Sequence, residues 1–444
     1  MKFNFKQNWK KVALGGTALL AVATLAACGS GASASKANAK ANLSFWWWGS
    51  ADRNTATQKQ IDNFQKSNPN ITVKGRPTGF GNLDQVFATQ YAGGTSADVL
   101  TLLYNWVPMY GQNGGFYDLS KIKSLDLKDN YDASFLKFGQ VDGKQVAVPY
   151  GQNVMVMWVN KTVYEKFGVD VSKLHTWQDY INAAKKFPKG YYPLCSPTWN
   201  FMPTIYLQQL TGKTEFDAKG NLNWSENDIE QAVSWYYSLV KDGVMVPADN
   251  YIANVGSDPV SLANNKMELN GNYAGGVGWN AGLQADHDAL AAKGDDMEIV
   301  PYPVIDNAKG ANILSKPSLL LAIKKDEKNP EQAGKYLNDF LNGKKANQIL
   351  GTTRGVPASK SAVKALTDNG QLTGFAKSAY EAGLNVKTMN ETPFYEDGTL
   401  TQIWTQQAQA VELGKQDVKT AAKNIYTQTK AQAAKLAVQY KLTK

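Results

Sequence analysis

Between Leu43 and Thr57 the chain reads LSFWWWGSADRNTAT, three consecutive indoles followed closely by Ser50, Asp52, Arg53 and Asn54. Aromatic planes beside short planar hydrogen-bonding groups suit a ligand with flat C–H faces and rings of hydroxyls, which is the chemistry of carbohydrate recognition. The combination recurs at Tyr104-Asn105-Trp106, Trp199-Asn200 and Asn272-Tyr273, each in a loop or at the end of an expected strand. One such cluster says little, because aromatic residues pack more often than they bind. Four along one chain favour a binding surface made of Trp46, Trp47, Trp48, Ser50, Asp52, Arg53, Asn54, Tyr104, Asn105, Trp106, Trp199, Asn200 and Tyr273. In a strand, Trp46 and Trp48 share one face and Trp47 lies on the side of Leu43 and Phe45. Trp48 adjoins Gly49, so it is expected to leave the packed layer and stack on ligand, with Trp47 in the core.

The elements that position these residues follow from their neighbours. Leu43 to Trp48 is a short apolar run that reads as a buried strand. Ser50 or Asp52 can cap a helix carrying Ile61 and Phe64 inward, and Ile71-Thr72-Val73 reads as a second strand. The result is a strand–loop–helix–strand unit, and in open α/β sheets ligands bind at the carboxyl ends of strands. Asp98 to Leu103 is a further buried strand that delivers Tyr104-Asn105-Trp106 at its carboxyl end. Asp142-Gly143 signals a hairpin, and Val154 to Val159 a strand. Thr176 and Ser225 open helices, the second with capping-box spacing to Asp228. Lys266 to Asn270 is expected as a strand leading to Tyr273, and Ser318 to Ile323 as another. The fold class is α/β.

The opening stretch also resembles the extracellular solute-binding proteins of family 1, the sugar-binding components of bacterial ABC importers. The similar subgroup takes up plant-derived oligosaccharides, pectin fragments among them, and begins F-W-W-W-G-S-D-x-R-H-x-A-T. Arg53, Ala56 and Thr57 match that pattern, whereas Ala51 stands where Asp is usual and Asn54 where His is usual. Asn105-Trp106, Asn113 to Leu119 and Arg354-Gly355-Val356-Pro357 match family motifs. The segment from Asn265 to Tyr273 resembles G-K-x-A-M-x-x-x-G-x-W, with Asn265 for the glycine and Tyr273 for the tryptophan. The resemblance implies a two-lobed, Venus-flytrap fold, with residues 43–153 and 306–358 in lobe 1 and 154–305 and 359–444 in lobe 2. It also implies that Asn153 and Arg354 lie in segments crossing between lobes, which makes them candidates for the cleft. Tyr395 joins them from its place in a loop.

The amino end reads as an address. Lys2, Lys6, Lys10 and Lys11 precede an uncharged run from Val12 to Ala27, the design of a secretory signal. Leu25-Ala26-Ala27-Cys28 looks like a lipobox, so residues 1–27 are expected to be removed and Cys28 to carry lipid. Residues 28–42, rich in Gly, Ala, Ser, Lys and Asn, form a tether. Removing the signal lowers the formal charge by four, from +9 to +5, and the lysines are scattered among acids. Nucleic acid is therefore not an expected partner. Cys195 is left without an intramolecular disulfide partner.

Catalytic readings find less support. The two histidines, His175 and His287, are far apart and lack metal-ligand spacing, and no P-loop, CxxC or G-x-S-x-G motif occurs. Neither metal nor cofactor is expected. Glycoside hydrolysis needs only two placed carboxylates, so a cell-surface hydrolase is the alternative class and a lipid-anchored polysaccharide adhesin a third. The expected function is that of a monomeric, non-catalytic receptor that captures an oligosaccharide and hands it to a membrane permease.

Overall fold

The computed structural model describes residues 39–79, 83–112, 114–195, 200–256, 262–310, 313–384 and 388–442. The expected signal, Cys28 and the tether as far as residue 38 lie outside the described residues, as do Asn113 and Trp199. The strands are β1 (Ala41–Trp48), β2 (Ile71–Thr78), β3 (Val99–Leu102), β4 (Gln140–Val141), β5 (Lys144–Gln145) and β6 (Val148–Pro149). They continue with β7 (Gln152–Asn160), β8 (Gly275–Trp279), β9 (Met297–Val300), β10 (Ile313–Pro317), β11 (Leu320–Ile323) and β12 (Thr388–Asn390).

The first sheet has the order β2-β1-β3-β11-β6, with β1 parallel to β2 and β3 and with β11 antiparallel to both of its neighbours. Period-2 alternation along β1 divides its aromatics. Phe45 and Trp47 pack together, and Phe45 also meets Tyr336 and Phe340 of the helix Pro330–Asn342. Trp46 turns to the opposite face, against Phe87 of the helix Leu83–Ala92 and Trp106 of the helix Trp106–Gly111. The first sheet is thus buried on both sides, as an apolar strand with no polar alternation requires.

The second sheet has the order β12-β10-β7-β8, with β9 also pairing β7. It packs Met155, Met157 and Val159 into a separate core with Tyr164, Tyr180 and Ile205. A third cluster joins the helices Glu226–Lys241, Gly398–Glu412 and Val418–Gln439 through Trp224, Ile229, Trp404 and Leu436. The third cluster shares the helix Phe201–Thr211 with the second core, so the two sheets centre two lobes.

Local signals mostly act as their chemistry dictates. Thr176 with Asp179 and Ser225 with Asp228 each form a reciprocal capping box. Asp142 and Gly143 take positive φ values of 49° and 73° and close the β4–β5 hairpin. One expectation fails. Lys266–Leu269 is a helical turn, because the Asn265 side chain accepts from the backbone N–H groups of Met267 and Glu268 and caps it. The strand lies further on, at β8.

Candidate functional site

The chain leaves the first sheet at Pro149, enters the second at Gln152, and returns between Pro317 and Leu320. The two crossings run antiparallel and are stitched by Tyr150 N–H to the Leu319 carbonyl and Ser318 N–H to the Gly151 carbonyl, each 2.8 Å. A third segment lies against them, with Ala358 N–H donating to the Tyr150 carbonyl at 2.8 Å. The carboxyl ends of β1 and β3 face this junction from the first lobe, and the Gln152 end of β7 and the Trp279 end of β8 face it from the second. These crossings join the two sheets at one junction.

Most of the opening stretch is packing. All three tryptophans are buried, Trp48 at 7% exposure, which corrects the expectation that Trp48 leaves the layer. β1 ends at Trp48, as expected, but its pairing with β2 holds through Trp48↔Thr78, so the indole keeps its place in the layer. Trp48 then lies edge-on to Trp46 and Trp106 at centroid distances of 6.3 and 6.5 Å. The indole N–H of Trp47 donates to Asn54 Oδ1 at 2.8 Å, and that of Trp106 to Asp84 Oδ1 at 2.9 Å. Asn54 is half-buried and its Oδ1 is engaged by this bond within the lobe. Ser50 caps the helix Ala51–Ser67, accepting from Arg53 N–H, and Asp52 is exposed in its first turn.

Tyr273 and Arg354 also move from ligand surface to interior. Tyr273 is fully buried beyond the end of β8 that pairs Val159, far along the sheet from the crossings, with its hydroxyl 2.7 Å from Asn250 Oδ1. Arg354 places its guanidinium 5.2 Å from the centre of the Phe340 ring and donates to Thr57 Oγ1 at 2.6 Å. Burial lowers its pKa to about 10, with the nearby Arg53 acting in the same direction against Tyr150. Arg354 ties the loop after the helix Lys344–Leu350 to the helix Ala51–Ser67.

Other candidates do gather at the junction. Arg53, half-buried, donates Nε to the Thr353 carbonyl at 2.9 Å and Nη1 to the Trp48 carbonyl at 3.1 Å. Asn105 donates its backbone N–H to Glu396 Oε2, 3.2 Å away on the second lobe. Tyr104 is buried against Phe138, and burial together with the Glu396 and Glu391 carboxylates pushes its phenol well above the usual range. Asn153 pairs across to Lys316 and shares a sheet face with Met155 and its partner Trp279. Over that face lie Phe201 and Tyr395, 5.7 and 6.4 Å from the Trp279 ring. The Oδ1 atoms of Asn153 and Asn200 and the Tyr395 hydroxyl are buried without a hydrogen-bond partner in the protein.

The sequence reading missed four residues here: half-buried Trp279 and Phe201, and the ion pair Lys316–Glu396. A signal for Trp279 was present, since Gly275-Gly276-Val277-Gly278 is too glycine-rich for a core strand without close backbone approach. Behind the pair stand Glu391 and Glu215, whose carboxyls burial pushes up to about 8. Gln208 Nε2 donates to Glu391. Indole and phenyl faces beside unpartnered amides and a carboxylate can hold a polyhydroxylated ligand.

A family model described as bacterial extracellular solute-binding protein matches residues 59–374. Among solved structures, a periplasmic oligogalacturonide binding protein from Yersinia enterocolitica, in complex with saturated digalacturonic acid, is 27% identical. It matches with TM-score 0.80 over 90% of this chain and 100% of that one. A periplasmic solute binding protein from Pectobacterium atrosepticum is 29% identical, with TM-score 0.82 over 89% and 99%. The arabinooligosaccharide-binding protein of Halalkalibacterium halodurans is 28% identical over 101 residues, 22% of this chain and 23% of that protein. The multiple sugar-binding protein of Streptococcus mutans is 24% identical over 180 residues, 40% and 41% of the two chains. The chain thus spans under half the length of the curated relatives it matches. With the two-lobed architecture, the crossing strands and a family match over most of its length, the chain belongs to the bacterial extracellular solute-binding proteins.

Proposed function

We propose that this protein is the substrate-binding component of an ABC importer that captures an oligosaccharide between its lobes and delivers it to a membrane permease. The observation that carries the reading is the half-buried Trp279 and Phe201 beside the unpartnered polar atoms of Asn153, Asn200 and Tyr395 at the crossing. Aromatic faces take the C–H surfaces of a sugar, and the amides and phenol take its hydroxyls. The oligosaccharides named for the Yersinia and Halalkalibacterium proteins support the ligand class. The role is non-catalytic. A ligand that touches both lobes binds the closed arrangement better than the open one, which shifts the population toward closure and gives the permease a surface to read. Lipid on Cys28 holds the receptor at the outer face of the membrane, and the tether gives it reach.

A thermal-shift screen against an oligosaccharide panel tests the reading. A true ligand at ~100 times Kd stabilises the fold by about 2.7 kcal/mol. No shift with any sugar would overturn the proposal, and shortened products after incubation would mark a hydrolase instead. In cells, Cys28→Ala should release the protein or leave its precursor uncleaved; a processed, membrane-bound variant would contradict lipid anchoring.

A further inference from the structure

We infer that the protein holds a second carbohydrate site, a pocket for a single sugar ring on the opposite face of β7 from Trp279. The inference goes beyond the oligosaccharide reading above and rests on other residues. A cavity of about 260 Å³ lies at the junction, lined by Phe135, Phe138 and Tyr380 together with Gln152, the segment 356–358 and exposed Ser134. The two phenylalanines pack against the first core. Tyr380 belongs to the helix Gly374–Leu384, which lies against β7 and is tied to the second sheet by the Asn280 side chain, donating to the Ala379 carbonyl at 3.4 Å. The cavity thus takes a wall from each lobe. Neighbouring residues of a strand point to opposite faces. Asn153 shares its face with Met155 and Trp279, and Gln152 shares the other with Val154, which lies close to Gly383 of that helix. The sheet therefore separates this pocket from the Trp279 site.

The lining has the chemistry of sugar recognition. Phe135 and Phe138 stand edge-on, with ring centres 5.5 Å apart and planes at 79°, and both are half-buried, as is Tyr380. Packing alone would close over such rings, whereas these keep part of their surface at the cavity. The side chains of Gln152, Ser134 and Tyr380 make no hydrogen bond within the protein among the described residues. An amide, a hydroxyl and a phenol offer donors and acceptors to ring hydroxyls, and the aromatic surfaces take the C–H groups. The volume falls just under the ~300–1,000 Å³ of pockets that enclose drug-sized ligands. One sugar ring suits that space, and a longer chain does not.

Saturation-transfer NMR of the full chain with the methyl glycosides of glucose, galactose, xylose and arabinose tests this, alongside calorimetric titration with oligosaccharides. Trp279→Ala should keep the transfer to at least one glycoside. Tyr380→Ala should weaken that glycoside at least ~10-fold and leave oligosaccharide affinity within about twofold of wild type. Ser134→Trp, at an exposed position, blocks the pocket without touching the core and should have the same effect; it decides the matter if Tyr380→Ala melts far below wild type. Transfer that survives both pocket variants, is lost in Trp279→Ala, or is absent from wild type overturns the second pocket. The oligosaccharide titration then decides the receptor reading by itself.

Discussion

Glu391 shows how burial of a carboxyl makes stability depend on pH. Its carboxyl and those of Glu215, Glu268 and Glu412 are raised by burial from 4.5 to about 8. Gln208, Glu215, Tyr395 and Tyr104 stand around Glu391 itself. Between those two pH values the folded chain keeps protons that the unfolded chain has released, so stability falls as pH rises through the window. The contribution is complete below pH 4.5 and lost above about 8. Thermal melts should therefore drop from pH 5 to pH 8, and Glu391→Gln should shrink the drop; equal drops in both proteins would contradict the assignment. The tryptophans give a second residue-scale prediction. Trp47→Ala and Trp48→Ala should each lose ~3–5 kcal/mol of stability, as buried aromatics do. Trp279→Ala should melt near wild type and bind sugar at least ~10-fold more weakly. A Trp48→Ala variant of normal stability with lost affinity would return that residue to the ligand surface. The division of β1 into a Trp46/Trp48 face and a Trp47 face was legible, because alternation is a local property. The fate of Trp48 was not, because it depends on β2 pairing as far as Thr78, a contact thirty residues away.

Crossing strands carry the argument at the scale of elements. Gly151 sits where three segments meet, and a Cβ there would lie 2.6 Å from the Val356 carbonyl oxygen and 3.2 Å from Ser318 Oγ. Only glycine lets the third segment approach this closely. Gly151→Ala should cost ~1–3 kcal/mol, the usual scale for overpacking, and should weaken ligand-induced closure in the same variant. A variant that melts and closes like wild type would show that the segments separate freely. The first unit was readable as strand–loop–helix–strand because apolar runs, a Ser50 cap and an Asn-Pro-Asn turn agree with one another. The β8 region was misread because Asn265 competes locally as a cap, and side-chain capping of this kind overrides strand propensity. Lys316 and Glu396 are eighty residues apart, and only the folded β10 brings them together.

At the scale of the molecule, antiparallel crossings join the two sheets, and the Asn105 N–H meets Glu396 across the seam. A sugar held by Trp279, Phe201 and Asn153 from one lobe and by Arg53 and Asn105 from the other would add to that contact and favour the closed state. Family and architecture together account for the chain's general role, while the proposed site is made of a few side chains at the crossing, several of them invisible to local pattern. Small-angle scattering of the full chain, with and without the tightest sugar from the screen, tests the clamp most directly. The account predicts a smaller radius of gyration and a shorter maximum dimension at saturation; an unchanged scattering profile with tight binding would place the sugar on one lobe and contradict closure around it.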